Sequence, residues 1–141
     1  MATKYWKRES IATRELVALF KVTETKAGMS GYIYKNGSWQ PYDDIVAKAG
    51  YDDDYDFVPS ADIKELMAEK QRLEKYYKGL GEKTGRELNA IISLVQRKVP
   101  KDEVQFEDEI EEWFFDGLMK EAEEHVKKYG DWPVFELCEI D

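Results

Sequence analysis

Apolar and polar residues alternate along the first third of the chain, which is the pattern of half-buried β-strands. The clearest stretch is 14–25, where every second residue from Leu16 to Val22 is apolar and would lie on one face of a strand. Two shorter strands are predicted at Tyr32–Tyr34 and Ser38–Gln40. The dipeptide Asn36-Gly37 between them is favoured in two-residue hairpin turns because both residues tolerate positive φ. The N-terminal half therefore predicts a small antiparallel meander.

In the second half of the chain, apolar residues recur at spacings of three and four, which indicates helices that bury one face. A first helix is expected to begin at Ser60 and to end at the glycines of Gly79-Leu80-Gly81. Thr84 and Glu87 have the spacing of a capping box, which predicts the start of a second helix.

A third helix is predicted from Val104 or Phe106 to Tyr129, followed by Gly130 as its C-terminal cap. The apolar stretch Val134–Ile140 is predicted to be a final strand at an edge of the N-terminal sheet. The sequence thus predicts an α+β fold, in which a small antiparallel sheet, formed by the N-terminal meander plus this C-terminal strand, is packed with three main helices.

Length and composition favour one self-sufficient domain. A chain of 141 residues can bury a sizeable core, and 43% of its residues are hydrophobic, so residues 1–141 are expected to form a single α+β domain. The single cysteine, Cys138, cannot form an internal disulfide, and the N-terminus leads into no apolar signal region. Apolar runs fall far short of the roughly 20 residues that span a bilayer. We therefore expect a cytoplasmic protein that is not embedded in a membrane.

Charge is arranged in four alternating blocks, of which 102–141 is the most acidic. This block contains fifteen of the thirty Asp and Glu residues and three Lys, so most of the net charge of −9 falls there. Such a surface attracts basic proteins and repels phosphate backbones and anionic lipids, which disfavours direct binding to nucleic acid or membranes. The residues predicted to contact a basic partner are Glu107, Asp108, Glu111, Glu112, Asp116, Glu123 and Glu124. A solvated helix face, paired in part with the basic residues between Lys70 and Arg86, explains the same pattern.

The acidic loop Asp52–Asp56 has alternating Asp residues, like the first ligands of a calcium-binding loop. The remaining positions do not match, because Phe57 and Ile63 stand where such a loop needs a glycine and a bidentate glutamate. The loop is therefore interpreted as a solvated turn.

His125 is the only histidine, and it lies one helical turn after Glu121 on the same predicted helix face. Cys138 adds a third metal ligand only if the last strand folds back onto this helix. Hydrolytic triads and zinc sites need more His or Cys than the chain contains. We predict no catalytic, cofactor-binding or metal-binding residue, and interpret His125 as a surface or helix-end residue.

Aromatic residues are concentrated around the predicted hairpin and the loop beyond it. They are Tyr32, Tyr34, Trp39, Tyr42 and Tyr51. These side chains either cover the sheet or form an exposed binding patch, and Trp39 is expected to pack inward.

No motif in the sequence brings its own chemistry, so binding is favoured over catalysis. The leading hypothesis is a non-enzymatic, acidic protein-binding module, an inhibitor or immunity-type protein that docks on a basic partner. In general character the chain resembles small toxin-immunity proteins and phage-encoded inhibitors, although no residue motif carries the likeness. A phage-type mimic of nucleic-acid charge and an enzyme that uses paired carboxylates are the alternatives.

Overall fold

A five-stranded antiparallel sheet and three main helices confirm the predicted α+β class. The computed structural model describes residues 2–139. The strands are β1 (Ala2–Glu9), β2 (Leu16–Thr25), β3 (Gly28–Lys35), β4 (Ser38–Pro41) and β5 (Asp56–Val58). The helices are the short α1 (Asp44–Lys48) and the longer α2 (Ile63–Glu82), α3 (Gly85–Gln96) and α4 (Glu109–Tyr129).

The chain divides into two compact units within α2. The first unit is Met1–Lys75 and the second is Tyr76–Asp141. The expectation that residues 1–141 fold as a single domain stays a prediction. Among the described residues, no helix combines the length and the apolar character needed to cross a membrane.

In the first unit the strands are ordered β4-β3-β2-β1-β5, and both faces of the sheet are buried. On one face, Leu19 and Tyr34 pack with Leu73 of α2. On the other, Phe20 packs with Ile45 of α1. Because β2 is the central strand, its side chains contribute to both clusters.

A β-bulge in β2 changes which face Leu16 occupies. The successive β1 residues Arg8-Glu9 lie opposite Ala18 and Leu16, so Val17 is an extra residue, and it is 46% exposed. Side chains alternate along a strand, so one extra residue transfers Leu16 to the face of Leu19. The prediction that Leu16 shares a face with Ala18 is therefore wrong, because pairing with β1 interrupts the alternation.

The hairpin between β3 and β4 is confirmed. Asn36 and Gly37 have φ values of 52° and 79°, the positive values that this tight turn needs. The amide of Asn36 donates to a carboxylate oxygen of Glu74 at 3.0 Å. The turn is therefore attached to α2 as well as closed on itself.

The second unit is built on α3 and α4, which bury Ile91, Val95 and Phe115 between them. The capping box at the start of α3 is confirmed, since Thr84 Oγ1 accepts from the amide of Glu87 and the Glu87 carboxylate accepts from the amide of Thr84, both at 3.2 Å.

The ends of the other helices follow the sequence less closely. Gly130 ends α4 with φ 85°, as predicted, but α4 begins after Asp108 and not at Val104 or Phe106. Gly79 and Gly81 do not end α2, which continues through them to Glu82. At Gly79 a side chain would collide with Ile110, so this glycine permits close packing of the helix.

The predicted C-terminal strand is wrong for residues 134–139, which form no strand, while Ile140 lies outside the described residues. The fifth strand is β5, which pairs with β1 at Tyr5–Lys7. Residues 132–139, here named the C-terminal segment, run in an extended conformation along α3. Trp132, Pro133, Phe135 and Cys138 are its partly buried positions.

Candidate functional site

Asp108 defines the start of the acidic helix α4. Its Oδ1 accepts the amide hydrogen of Glu111 at 3.0 Å and caps the helix. Glu109, Glu111 and Glu112 occupy the first turn, where the helix dipole favours negative charge. The local sequence thus explains why carboxylates are concentrated at this end of α4.

Lys83, which precedes the cap of α3, lies at the centre of an ion-pair cluster. Its Nζ is 2.7 Å from Asp108, 3.2 Å from Glu111 and 3.5 Å from Glu87, and its side chain is 10% exposed. The hydrogen bond to Asp108 is the main cause of a raised pKa for Lys83, opposed by burial. The same bond, with the amide of Glu111, lowers the pKa of Asp108. Hydrogen bonds from Thr84 lower the pKa of Glu87.

Lys101 forms a second, exposed bridge to α4. Its Nζ lies 3.1 Å from Glu112 and 3.0 Å from Asp116, and all three side chains are nearly half exposed. These hydrogen bonds, to Asp116 first, raise the pKa of Lys101. The bridge partly neutralises this part of the helix while leaving the carboxylates accessible to solvent.

The seven carboxylates predicted to contact a partner therefore have different environments. Asp108 and Glu111 are paired with Lys83, and Glu111 is only 7% exposed. Glu112 and Asp116 share Lys101, and Glu107 is exposed beside Glu111, whose carboxylate accepts its amide hydrogen at 3.2 Å. Glu123 and Glu124 are exposed in the C-terminal half of α4.

Glu112, Asp116 and Glu123 lie on one stripe of α4, because they are separated by four and seven residues. We name Glu112, Asp116, Glu123 and Glu124 the acidic stripe, since Glu124 is the neighbour of Glu123 on the exposed side. Sequence reasoning identified these residues, but it placed the buried Glu111 in the same class. The difference between the buried Glu111 and the accessible carboxylates of the acidic stripe depends on Lys83, which is distant in sequence.

A metal-like arrangement of carboxylates occurs at the same cluster. Among residues 2–139, Glu87, Glu107 and Glu111 bring one oxygen each to within 4.8 Å of one another. The ammonium of Lys83 contacts two of these three groups and supplies the positive charge. The arrangement is that of an ion-pair cluster around a lysine.

His125 lies at the end of α4, as its interpretation as a helix-end residue expects. Its Nδ1 is 2.9 Å from the carbonyl oxygen of Asp131, and its ring centroid is 4.7 Å from that of Tyr129. In the acidic loop, the amide of Asp54 donates to Asp52 Oδ1 at 3.0 Å, which is the hydrogen bond of an Asx turn. Both groups thus have local structural roles.

The aromatic residues around the hairpin mostly cover the sheet. Tyr34 is 3% exposed and packs against the partly buried Trp39, and Lys21 Nζ lies 4.9 Å from the Trp39 ring. Tyr42 packs against Phe20. Tyr51 differs, since it is 88% exposed.

One concave feature of the first unit was missed from the sequence. A cleft of about 460 Å³ lies beside the β-bulge, where the loop between β1 and β2 faces the acidic loop. Its charged lining combines two basic with four acidic residues, which are Arg8, Arg14, Glu9, Asp53, Asp54 and Asp56. The bulge gave no signal in the sequence, because it arises from strand pairing. Comparisons of the chain with protein-family models, curated proteins and solved structures found no match, so its function is argued from its own residues.

Proposed function

We propose that the protein is a non-enzymatic, cytoplasmic binding module of inhibitor or immunity type, which docks on a basic protein partner through the exposed carboxylates of α4. The acidic stripe forms the centre of this surface, with Glu107 at its N-terminal end. Asp108 and Glu111 hold the start of α4 in place through Lys83.

The unequal charge of the two units carries this proposal. Residues 76–141 contain seventeen Asp and Glu against nine Lys and Arg, a net charge of −8, whereas residues 1–75 have thirteen against twelve, a net charge of −1. Nearly all the net negative charge thus lies in the second unit. A field of one sign on one surface accelerates encounter with an oppositely charged partner.

The pairing of Lys101 with Glu112 and Asp116 is compatible with docking. Exposed ion pairs contribute little stability, so a partner's Arg or Lys can replace Lys101 at small cost. An arginine of the partner would also pair with one carboxylate through two hydrogen bonds, which adds geometric specificity. The surface therefore fits a basic partner rich in arginine.

An affinity experiment with the full chain tests the proposal. The tagged protein is incubated with lysate of its source cell at low salt, and bound proteins are eluted with a salt step and identified by mass spectrometry. The expected partner is basic, elutes with salt, and associates more slowly as ionic strength rises, because exposed charges are screened beyond about 10 Å at 0.1 M salt.

A matched pair of variants assigns the surface. Glu123→Gln with Glu124→Gln removes two charges from α4, and Glu65→Gln with Glu69→Gln removes two exposed charges from the first unit. The first variant should slow association with the partner, while the second should associate at nearly the wild-type rate. Equal rates for the two variants, or association that is insensitive to salt, would contradict the proposal.

A further inference from the structure

Two side-chain amides on α3 hold the backbone of the C-terminal segment. Asn89 Oδ1 accepts from the amide of Cys138 at 2.6 Å, while Asn89 Nδ2 donates to the carbonyl of the same residue at 3.0 Å. Gln96 Oε1 accepts from the amide of Phe135 at 2.8 Å, and its Nε2 donates to the carbonyl of Pro133 at 2.9 Å. Each amide thus offers one acceptor and one donor to an extended chain, as a neighbouring β-strand does.

The position of these amides matches an extended occupant. Asn89 and Gln96 are seven residues apart, which is two helical turns, so they lie on the same face of α3. Gly85 is one turn before Asn89, and a Cβ at this position would collide with the carbonyl oxygen of Glu139. The face of α3 is therefore shaped for close approach of a peptide backbone along its whole length.

Aromatic side chains anchor the segment between the amides and α4. The indole of Trp132 donates to the carbonyl of Val95 at 3.1 Å, and both Trp132 and Phe135 pack against the core cluster that contains Phe115. The surface thus binds an extended chain with two aromatic residues three positions apart. We name this surface of α3, with Asn89, Gln96 and Gly85, the α3 groove.

A short connection joins the segment to the end of α4. Only Gly130 and Asp131 lie between Tyr129, the last residue of the helix, and Trp132. Gly130 has φ 85°, and glycine adopts many other backbone conformations at little cost. A change of conformation at this residue redirects the segment and breaks two contacts with the end of α4, the hydrogen bond from the Gly130 amide to the Val126 carbonyl and that between His125 and the Asp131 carbonyl.

Exposed apolar side chains are concentrated around this connection. In the described part of the second unit, the exposed large hydrophobic residues are Tyr77, Val126, Tyr129, Val134 and Leu137. All except Tyr77 belong to the end of α4 or to the segment. Val134 is 89% exposed and Leu137 62%, so the outer side of the bound segment is itself an apolar surface.

We propose that the α3 groove binds the C-terminal segment of a second copy of this chain, so that two copies exchange segments and form a dimer. The occupant is the same in both states, and each groove makes the same contacts in the dimer as in the monomer. The dimer is then favoured by new burial of the apolar residues around Gly130 and opposed by the entropy of association. This dimerisation is separate from the binding of a basic partner.

A complementation experiment with full-length chains tests the exchange. The groove variant carries Asn89→Ala and Gln96→Ala, and the segment variant carries Trp132→Ala and Phe135→Ala. We expect wild-type protein to form a concentration-dependent dimer, and each variant alone to form little dimer, because its substitutions release the segment from the groove both within one chain and between chains. When the two are mixed, the intact segment of the groove variant binds the intact groove of the segment variant, so native mass spectrometry should detect a heterodimer in excess of both homodimers.

The control is Gln105→Ala, which removes an exposed amide outside the groove and should dimerise like the wild type. A wild-type protein that stays monomeric up to about millimolar concentration overturns the proposal. A mixture of the two variants that shows no excess of heterodimer over the homodimers also overturns it, because the intact segment of one chain then does not bind the intact groove of another.

A covalent trap decides the question if either double variant fails to fold. Asn89→Cys places a thiol beside Cys138, the single native cysteine, whose backbone Asn89 contacts. Oxidation of the dimer fraction should link two different chains, which then migrate as a dimer in denaturing, non-reducing electrophoresis. A dimer fraction whose disulfides all lie within one chain overturns segment exchange.

Discussion

The ammonium of Lys83 lies 2.7 Å from Oδ2 of Asp108, while Oδ1 of the same carboxylate caps α4 through the amide of Glu111. Asp108 thus both caps the acidic helix and pairs with Lys83, the cation at the centre of the cluster. Because Lys83 also reaches the buried carboxylate of Glu111, its removal leaves an acidic group without its positive partner.

Lys83 and Lys101 should contribute unequally to stability, although each bridges two carboxylates of α4. Lys83→Met should lower the free energy of unfolding by about 1–3 kcal/mol, because it leaves a buried acceptor unsatisfied. Lys101→Met should change it much less, because the lysine and its partners are exposed. Urea denaturation of both variants, followed by circular dichroism, measures the difference. Equal losses would mean that burial around Lys83 is unimportant.

Asp108 should make stability depend on acid pH. The hydrogen bond from Lys83, and then that from the amide of Glu111, lower its pKa below the ordinary value of 3.8. A carboxyl with a lowered folded-state pKa stabilises the fold above its unfolded pKa, and this stabilisation is lost as pH falls through the folded value. Between about pH 5 and pH 2, the unfolding free energy of the wild type should therefore fall more steeply than that of Asp108→Asn. Parallel pH profiles for the two proteins would contradict the prediction.

The β-bulge predicts unequal losses of stability for substitutions at two adjacent residues. Leu16→Ala should cost about 2–5 kcal/mol, because Leu16 is 6% exposed in the cluster with Leu19. Val17→Ala should change stability by less than about 0.5 kcal/mol, because its side chain is half exposed. Denaturant midpoints of the two variants test the assignment, and a larger loss at Val17 would place the bulge elsewhere.

Two glycines in α2 should respond in opposite directions to the same substitution. A Cβ at Gly79 would lie 2.6 Å from Ile110 Cγ1, so Gly79→Ala should destabilise by about 1–3 kcal/mol through overpacking. A Cβ at Gly81 meets nothing within 4 Å, so Gly81→Ala should stabilise the helix by about 0.5–1 kcal/mol. Thermal melting of both variants distinguishes them, and a gain in stability at Gly79 would contradict its close packing against Ile110.

Features encoded by neighbouring residues were predictable from the sequence. The Asn36-Gly37 turn, the Thr84–Glu87 capping box and the end of α4 at Gly130 each depend on a few consecutive residues, and all three are confirmed. The acidic character of α4 was equally plain. Its individual carboxylates could not be ranked, because Lys83 and Lys101 reach them from other elements of the fold.

Features that depend on distant pairing were missed. The bulge at Val17 exists only in register with β1, and the strand β1 itself has no apolar–polar alternation, since Tyr5-Trp6 is flanked by Lys4 and Lys7. Residues 134–140 were predicted to be a strand because their apolar content suggested one, yet the C-terminal segment is held by amides of α3. Asn89 and Gln96 hydrogen-bond four of its backbone groups, which no local pattern indicates.

Two kinds of contact stabilise the second unit, ion pairs between lysine and carboxylates and hydrogen bonds from side-chain amides, and they respond differently to ionic strength. The exposed bridge from Lys101 to Glu112 and Asp116 weakens with added electrolyte, whereas the amides of Asn89 and Gln96 carry no charge and do not titrate. Ionic strength therefore changes how far the carboxylates of α4 are paired with lysine, while the C-terminal segment stays bound to α3. Electrolyte concentration therefore acts on the ion pairs of α4 and leaves the hydrogen bonds of the C-terminal segment unchanged.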